Sequence, residues 1–390
     1  MDNKERALAH VEKIEWIRSI ERADNIELIG VLGWMCIAKK GEFKVGDTAV
    51  YIEIDSKCPE TDERFAFLAN KKFKVKTMKL GKFNVISQGL ALPITIFPEL
   101  ENKNIGDDVT NELKITYASE DDAARKSNKI DPNAKYKAMA NRRPKLFSKP
   151  IVRKIMKYSF GRKIMFLLFG RKKDNPKKFP DWIVKTDETR IENAPFYLQS
   201  TDKWIKTEKC DGTSCTFAVD RVKKNKNKFD FIVCSRNVRQ ADREQACYHD
   251  ESNIYWELAD KYDIEKILTQ FATENNYNRV VLQGEGVGSV QGNPYKFTEN
   301  KLYVFNLIID GIRLGTVEMA DFCKSHGLIS VPIIDTAYKL PKTMEEMKLE
   351  ADGYSELNSK VKREGFVYRS QDGRQSFKNV SREYLLKHNG

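Results

Sequence analysis

Histidine is scarce in this chain, and its cysteines never occur in the closely spaced pairs that bind metals. The 390 residues include four histidines and seven cysteines, at positions 36, 58, 210, 215, 234, 247 and 323. No Cys-x-x-Cys pair is present, and no histidine lies at zinc-site spacing from a cysteine. A zinc site is therefore not expected, and a chain of this length does not need a disulfide framework to fold.

Long apolar runs are also absent from the sequence. No stretch of about 18 apolar residues occurs, as a membrane-spanning helix would require. The first residues, MDNKERALAHVEK, do not resemble an apolar signal segment. We therefore expect a monomeric protein of the reducing cytoplasm, with no membrane partner.

Charge, by contrast, is abundant and one-sided. Lysine and arginine total 68 against 56 aspartates and glutamates, a formal net charge of +12. This balance favours a polyanionic partner such as a nucleic acid. On charge alone, a basic surface without a partner remains the alternative.

Residues 1–115 have the pattern of a small all-β barrel. Strand-like runs at 26–33, 34–38, 48–54, 73–80 and 85–92 are separated by turn signals such as Lys39-Lys40-Gly41. Five short strands at this spacing are typical of an OB fold, which commonly binds single strands or nucleic-acid backbones.

Lysines alternate with apolar residues over 71–79, which would place them on one face of a strand. We predict that Lys72, Lys74 and Lys76 bind nucleic acid. The alternative is a solvated outer face.

Residues 116–178 differ in character from the segments on either side. Residues 119–137 are polar and charged, and a dense group of cations follows at 142–157. The sequence Phe-Gly-Arg-Lys occurs twice, at 160–163 and 169–172, around a short apolar core. We expect a basic insert whose apolar face docks on a neighbouring domain. The alternative is an amphipathic helix pair bound to nucleic acid or to an acidic surface.

Residues 179–390 alternate strands with helices and predict an α+β domain with antiparallel-rich sheets. The predicted helices are 253–271 and 316–326. The predicted strands are 203–209, 214–220, 229–234, 279–285, 301–309, 365–369 and 374–378.

Lys209 begins the sequence Lys-Cys-Asp-Gly, which we predict to be a turn between two paired strands. A lysine can act as a nucleophile only when its environment lowers its pKa, through nearby cations or a metal. Asp211 could hold the amine or a metal, and Gly212 would let a nucleotide approach the backbone closely. A single Lys-x-Asp-Gly is more often an ordinary surface turn, so the rest of the chain must decide.

Six further stretches accompany Lys209 in a fixed order. They are 179–193 with Arg190, Ser235-Arg236-Asn237, 281–288 with Glu285, 302–306 with Phe305, 364–369 with Glu364, and 376–381 with Lys378.

Together these stretches resemble the motifs of the covalent nucleotidyltransferase superfamily, over residues 179–381. The Thr-Asp-Glu-x-Arg stretch, the Ser-Phe-Lys ending and the preceding OB module resemble the ATP-dependent RNA ligase branch that carries its OB domain first. The resemblance implies an ATP-grasp-like nucleotidyltransferase domain at 179–390, after an OB domain at 1–115 and a linker at 116–178. Two features depart from the family pattern, which are Ser376 in place of a lysine and the basic insert itself.

The resemblance also implies residue roles. Lys209 would attack the ATP α-phosphate and form lysyl-AMP, and Lys378 would neutralise that phosphate. Asp211, Glu285 and Glu364 would hold Mg²⁺ or Mn²⁺, partly through water. The remaining nucleotide and substrate contacts would come from Gly212, Arg190, Arg236, Asn237 and Phe305, with Phe305 stacked on adenine.

We therefore expect an ATP-dependent ligase that seals RNA 3′-OH and 5′-phosphate ends, with a nicked duplex as one candidate substrate and the OB lysines as RNA contacts. The first alternative is another covalent nucleotidyltransferase, either a DNA ligase or a GTP-using capping enzyme. The second is a non-catalytic RNA-binding protein with an inactive nucleotidyltransferase domain, which the presence of Lys209, Glu285, Glu364 and Lys378 disfavours.

Overall fold

Three segments follow one another along the chain: a β-barrel, a group of basic helices and a domain with two large sheets. The computed structural model describes residues 6–118, 136, 143–169, 177–222, 228–241, 243 and 253–389. Among these residues, no helix is both long and apolar enough to cross a membrane.

The barrel contains a five-stranded antiparallel sheet in the order β3-β2-β1-β4-β8. Two short pairs, β5 with β9 and β6 with β7, complete it. The strands are β1 (Ala9–Ser19), β2 (Ile26–Val31), β3 (Trp34–Lys39), β4 (Thr48–Ile52), β5 (Ser56–Lys57), β6 (Met78–Leu80), β7 (Val85–Ser87), β8 (Leu90–Pro93) and β9 (Thr116–Tyr117). The predicted all-β OB-fold barrel is thus confirmed.

Two local predictions in the barrel are wrong. Strand β1 was not predicted, because a bulge between Ile14 and Trp16 shifts its alternation part-way along the strand. The strand predicted at 73–80 exists only from Met78. A 3₁₀ helix spans Glu63–Lys71, and Lys72 and Phe73 follow with φ of 54° and 59°. Two consecutive left-handed residues cannot continue a strand, so the lysines at 72, 74 and 76 do not share a strand face.

The basic segment forms the short helices α1 (Pro144–Phe147), α2 (Pro150–Lys157) and α3 (Ser159–Phe169). A Cβ atom on Gly161 would overlap the carbonyl oxygen of Ile155, so this glycine lets α3 leave the end of α2 at close range. Among the described residues, the buried apolar side chains here are Tyr136, Phe147 and Met165, and the apolar side chains packed around them belong to this segment. The prediction that its apolar face docks on a neighbouring domain is therefore wrong for the part that the structure describes.

The third segment holds an eight-stranded and a five-stranded sheet. The larger has the order β10-β15-β14-β13-β16-β17-β18 with β19 beside β17, and the smaller has the order β11-β22-β21-β12-β20. Their strands are β10 (Lys177–Lys178), β11 (Thr189–Arg190), β12 (Trp204–Lys209), β13 (Thr213–Arg221), β14 (Phe229–Cys234), β15 (Val238–Arg239), β16 (Arg279–Val287), β17 (Lys301–Ile309), β18 (Ile312–Arg313), β19 (Ile329–Ser330), β20 (Ile333–Tyr338), β21 (Gly365–Ser370) and β22 (Ser376–Val380). Most pairings are antiparallel, as predicted.

In the described part of this domain, five α-helices accompany these sheets: α4 (Ile254–Lys261), α5 (Ile264–Glu274), α6 (Thr316–Ser325), α7 (Met344–Ala351) and α8 (Arg382–Asn389). The first three cover one face of the larger sheet and enclose the largest apolar core, around Phe217, Leu258 and Leu282. The helix predicted over 253–271 is two helices, because Asp263 has φ of 48° and interrupts the helical path.

The barrel and the two-sheet domain share one apolar core. Trp34, Tyr51 and Ile14 of the barrel form a single buried cluster with Val380 and Leu385. The indole of Trp34 donates a hydrogen bond to Asn193. The backbone N–H of Gly33 donates to the carbonyl of Glu192 at 2.7 Å. The two domains are therefore packed together rather than joined only by the chain.

Candidate active site

Lys209 lies where the chain crosses from one large sheet to the other. It ends β12, whose partner strands belong to the five-stranded sheet, and Thr213 begins β13 in the eight-stranded sheet. The predicted pairing of these two strands across a turn is therefore wrong. A Cβ on Gly212 would overlap the carbonyl oxygen of Gly286, so glycine is needed here for the approach of two backbones.

A cavity of about 640 Å³ opens at this crossing point. All three parts of its wall carry charged side chains. The barrel and the segment just before it supply Arg6, Asp55, Lys74, Lys76 and Tyr117. The smaller sheet and the residue before β21 supply Arg190, Lys209, Glu364 and Lys378. The larger sheet and its loops supply Asp211, Arg236, Glu285 and Phe305. The cavity thus brings together nearly all of the predicted site residues.

Three carboxylates surround the amine of Lys209. Its Nζ lies 2.7 Å from Oε1 of Glu364. Burial acts to lower the pKa of Lys209, but Glu364, Glu285 and Asp211 outweigh that effect and raise it. The isolated protein therefore holds this lysine as an ammonium ion, which is not nucleophilic.

Two of these carboxyl groups have raised pKa values, which means that their surroundings oppose ionisation. Burial raises the pKa of Glu285 to about 8, against the opposing effect of Lys209, and Glu364 and Asp211 raise it further. Burial and then Glu364 raise the pKa of Asp211 to about 6. Oxygen ligands with this excess of negative charge suit a hard divalent cation. Within the described residues, no three histidine, cysteine or acidic side chains are grouped closely enough to hold a metal ion directly.

Lys378 forms the cationic side of the cavity. Its Nζ lies 3.5 Å from Asp187. Burial lowers the pKa of Lys378 to about 8, against the opposing effect of Asp187 and with further lowering by Arg190 and Arg6. A buried ammonium with so much positive charge around it is suited to an anionic ligand.

Two predicted arginines line the same cavity, and each is held by a carboxylate. Arg190 is buried, lies 3.1 Å from Asp55 of the barrel, and has its guanidinium carbon 5.8 Å from the ring centroid of Trp34. Arg236 is paired with Asp187, and its guanidinium carbon lies 5.7 Å from the ring centroid of Tyr117. Asn237 is exposed at the turn between β14 and β15 and does not line the cavity.

Phe305 reaches the cavity through a β-bulge. Gln283 pairs with Asn306 and Gly284 with Val304, which leaves Phe305 as the extra residue of β17. Such a bulge redirects a side chain, and bulges are common beside active sites. Nη1 of Arg369 donates a hydrogen bond to the carbonyl oxygen of Phe305 at 2.6 Å and fixes this backbone.

The three barrel lysines have different positions. Lys74 and Lys76 line the cavity, whereas Lys72 is exposed outside it. The strand pattern from which they were predicted does not exist, so their positions result from the loop after the 3₁₀ helix.

The cavity residues that were not predicted include Arg6, Asp187, Tyr117 and Tyr384. Asp187 belongs to the Thr-Asp-Glu-x-Arg stretch, so the motif contained a signal for it. Tyr384 lies in α8, and its hydroxyl hydrogen-bonds to Asp211 while its ring packs on the core shared by the two domains. Nothing in the local sequence marks Tyr384, Arg6 or Tyr117, because only the domain packing brings them to this cavity.

Comparison with known proteins agrees with this geometry. An OB-fold domain model matches residues 8–94, and an RNA ligase family model matches residues 202–387. A search of curated proteins returned no match. The solved structure of Naegleria gruberi RNA ligase with PPi is 31% identical, covers 98% of this chain and 99% of its own, and superimposes with a TM-score of 0.75.

The chain belongs to the RNA ligase family. Further structures of the Naegleria gruberi RNA ligase are also similar to it. A lysine-to-alanine variant of that protein, solved with ATP and Mn, is 29% identical, covers 98% of this chain and 99% of its own, and has a TM-score of 0.72. A glutamate-to-alanine variant, solved with AMP and Mn, is 28% identical with the same coverage and a TM-score of 0.73. The likeness covers both domains of this RNA ligase, so the order of an OB domain followed by a ligase domain is shared as well.

Proposed function

We propose that this RNA ligase is ATP-dependent and joins RNA 3′-OH and 5′-phosphate ends through a lysyl-AMP intermediate on Lys209. The observation that carries the proposal is that one cavity contains the side-chain nitrogens of Lys209 and Lys378 together with three carboxyl groups. The solved relatives with ATP, AMP, PPi and Mn support the choice of nucleotide and metal.

In the first step, Lys209 loses a proton to solvent and its Nζ attacks the α-phosphorus of ATP. The new N–P bond replaces the bond to the bridging oxygen, and pyrophosphate leaves with that electron pair. Lys378 neutralises negative charge on the α-phosphate as the bonds exchange. The buried cation is already in place in the free protein, so little reorganisation is needed.

The two later steps return the enzyme to its starting form. A 5′-phosphate oxygen of the RNA attacks the lysyl-AMP phosphorus, and Lys209 leaves as the amine. The RNA 3′-OH then attacks the 5′-phosphorus, which forms the phosphodiester and releases AMP. Arg190 and Arg236 are placed to contact the triphosphate or the RNA 5′-phosphate, since guanidinium groups suit phosphate oxygens.

Asp211, Glu285 and Glu364 would hold the divalent cation, which would favour the amine form of Lys209 and stabilise charge on the phosphate. Without it, these carboxylates raise the pKa of Lys209. A bound cation would offset this effect and favour the amine.

The adenosine pocket is proposed around Phe305 and Gly212. Phe305 projects from its bulge into the cavity, where stacking on adenine would contribute about 1–3 kcal/mol. Gly212 lets the two sheets approach at the crossing point. Asn237, outside the cavity, would contact the RNA rather than the nucleotide.

The OB domain is proposed to bind RNA next to the reacting ends. Lys74 and Lys76 face the cavity with Arg6, whereas Lys72 extends the basic surface outwards. Replacing all three lysines with alanine should weaken RNA binding and lower its salt dependence, by a slope of roughly 0.7 to 0.9 for each phosphate that is no longer neutralised. An unchanged salt slope would show that these lysines are only solvated.

The proposal also covers the compartment in which the enzyme works and its oligomeric state. All six cysteines in the described part of the chain are free and buried. Reduced thiols of this kind are typical of the cytoplasm, where we propose that the enzyme works as a monomer.

The decisive test of function compares substrates. The protein should seal a nick with an RNA 3′-OH end when given ATP and Mn²⁺ or Mg²⁺, and should do so poorly with a DNA 3′-OH end or with GTP. Preference for a DNA 3′-OH end would indicate a DNA ligase, and labelling by GTP would indicate a capping enzyme. Binding of RNA with no labelling by either nucleotide would support the non-catalytic alternative.

A further inference from the structure

The helices α2 and α3 carry a surface that the ligase reaction does not use. Residues 143–169 contain eight arginines and lysines and no aspartate or glutamate. The cations are Arg143, Lys145, Lys149, Arg153, Lys154, Lys157, Arg162 and Lys163. None of them lines the active-site cavity.

The same helices expose large apolar side chains in ordered rows. On α3, Phe160, Ile164, Leu167 and Leu168 follow the i, i+4, i+7, i+8 spacing of one helix face, and Leu167 is 84% exposed. On α2, Ile151 and Ile155 with Tyr158 at its end follow the same spacing, and Ile151 is 75% exposed. Single exposed apolar residues are ordinary, but two aligned rows on adjacent helices mark an interaction surface.

These rows are not the exposed edge of a poorly formed core. The opposite side of α3 packs Met165 against Tyr136 and Phe147, with Phe166 and Phe169 around them. The helices therefore have one apolar face that stabilises the segment and a second apolar face that is left to solvent.

We propose that this surface, the α2–α3 face, binds the surface of an anionic lipid bilayer. Such a membrane satisfies both features together, because acyl chains cover apolar side chains while lipid phosphates and carboxylates pair with the cations around them. Neither helix is long enough to span a bilayer, since α3 has 11 residues. The mode is therefore interfacial, and it departs from the sequence-based expectation of no membrane partner.

RNA binding would explain the cations of this surface but not its exposed aliphatic side chains. Nucleic acids would use the cations, and stacking could use Phe160 and Tyr158, but exposed leucine and isoleucine contribute nothing to phosphate or base recognition. RNA binding predicts that only the charges matter. Lipid binding predicts that the apolar residues matter as much as the charges.

The test uses the full-length protein and co-sedimentation with two kinds of vesicle, phosphatidylcholine alone and phosphatidylcholine with phosphatidylserine. Wild-type protein should bind only the vesicles with phosphatidylserine, and added salt should weaken the binding. Lys154→Glu with Lys157→Glu should reduce affinity at least about fivefold for each cation removed. Leu167→Ser with Leu168→Ser should reduce it by about tenfold or more.

Matched controls separate a specific surface from general stickiness. Ile312→Ser with Leu349→Ser removes equally exposed apolar residues elsewhere, and Lys39→Glu with Lys40→Glu reverses two exposed charges of the barrel. The apolar control should leave vesicle binding unchanged, and the charge control should affect it far less than the α2–α3 charge variant. Formation of lysyl-AMP should be unchanged in the α2–α3 variants, so a failure of this proposal is distinguishable from a failure of the ligase proposal.

Two results would overturn it. The first is equal binding of the Leu167→Ser/Leu168→Ser protein and the wild type to anionic vesicles. The second is absence of wild-type binding to anionic vesicles. If RNA affinity then falls in the charge variant but not in the apolar variant, the surface is assigned to RNA instead.

Discussion

The amine of Lys209 lies 2.7 Å from the carboxylate of Glu364, in a cavity where Glu285 and Asp211 are close enough to raise the pKa of that amine further. This pairing stabilises the unreactive ammonium form. On the proposed mechanism, Lys209 therefore becomes a reactive amine only when positive charge enters the site and offsets the carboxylates.

Weakening the carboxylate set should weaken metal use. Glu285→Gln or Glu364→Gln should raise the Mn²⁺ concentration for half-maximal adenylylation by about 10-fold to 100-fold. The measurement is single-turnover labelling with ATP across a metal series. Glu112→Gln, which alters an exposed glutamate paired with Lys103, is the control. Wild-type metal dependence in both site variants would place the metal elsewhere.

The pH dependence of ATP capture should report Lys378. Its pKa is lowered to about 8, so the ammonium is present below that pH and is lost as pH rises through it. The affinity of the free protein for ATP should therefore weaken above about pH 8, by up to tenfold per pH unit. Lys378→Arg keeps its charge in this range, so its affinity should lack this alkaline fall even if it is lower overall. The same fall in the arginine variant would assign it to another group.

Tyr384 should act as a positioning residue for Asp211, which follows Lys209 in the chain. Tyr384→Phe keeps the ring in the shared core and removes only the hydroxyl that bonds Asp211. We expect adenylylation to slow by about tenfold or more, while the thermal midpoint stays near that of the wild type. Tyr354→Phe, on an exposed tyrosine, should change neither. A Tyr384→Phe enzyme of wild-type rate would reduce Tyr384 to a packing residue.

For a buried ion pair near the domain interface, losing one partner should destabilise the fold more than replacing both. Nζ of Lys348 lies 2.6 Å from Glu192, and both side chains are 1% exposed. Lys348→Met alone should cost about 3–5 kcal/mol of unfolding free energy, because it leaves Glu192 buried without its cation. Adding Glu192→Leu should recover most of that loss. Lys362→Met, in the exposed pair with Glu383, should cost less than about 1 kcal/mol. Denaturant unfolding of the wild type and the three variants measures these changes. A double variant no more stable than Lys348→Met would contradict the account.

The sequence was most informative where function constrains residue type and spacing. Lys209, Glu285, Glu364 and Lys378 were predicted from motifs and all line one cavity. Two strands rich in apolar residues, Phe229–Cys234 and Lys301–Ile309, were predicted at their observed bounds.

The sequence was least informative where local backbone geometry or domain packing determines the position of a residue. The left-handed residues Lys72 and Phe73 interrupt a lysine alternation that reads as a strand. The chain at 210–212 was read as a turn within one sheet because the sequence cannot show which sheet each strand joins. Tyr384 and Arg6 reach the cavity only because the barrel packs on the ligase domain, and no local pattern encodes that contact.

The most direct test of the central claim is covalent labelling with ATP that carries radiolabel at the α-phosphate, followed by a denaturing gel. Wild-type protein with Mn²⁺ or Mg²⁺ should become labelled, and the bond should be acid-labile and alkali-stable, as a phosphoramidate requires. Lys203→Ala, on an exposed lysine, should label normally, and Lys209→Ala should not label at all. A labelled Lys209→Ala protein would contradict the assignment of Lys209 as the nucleophile.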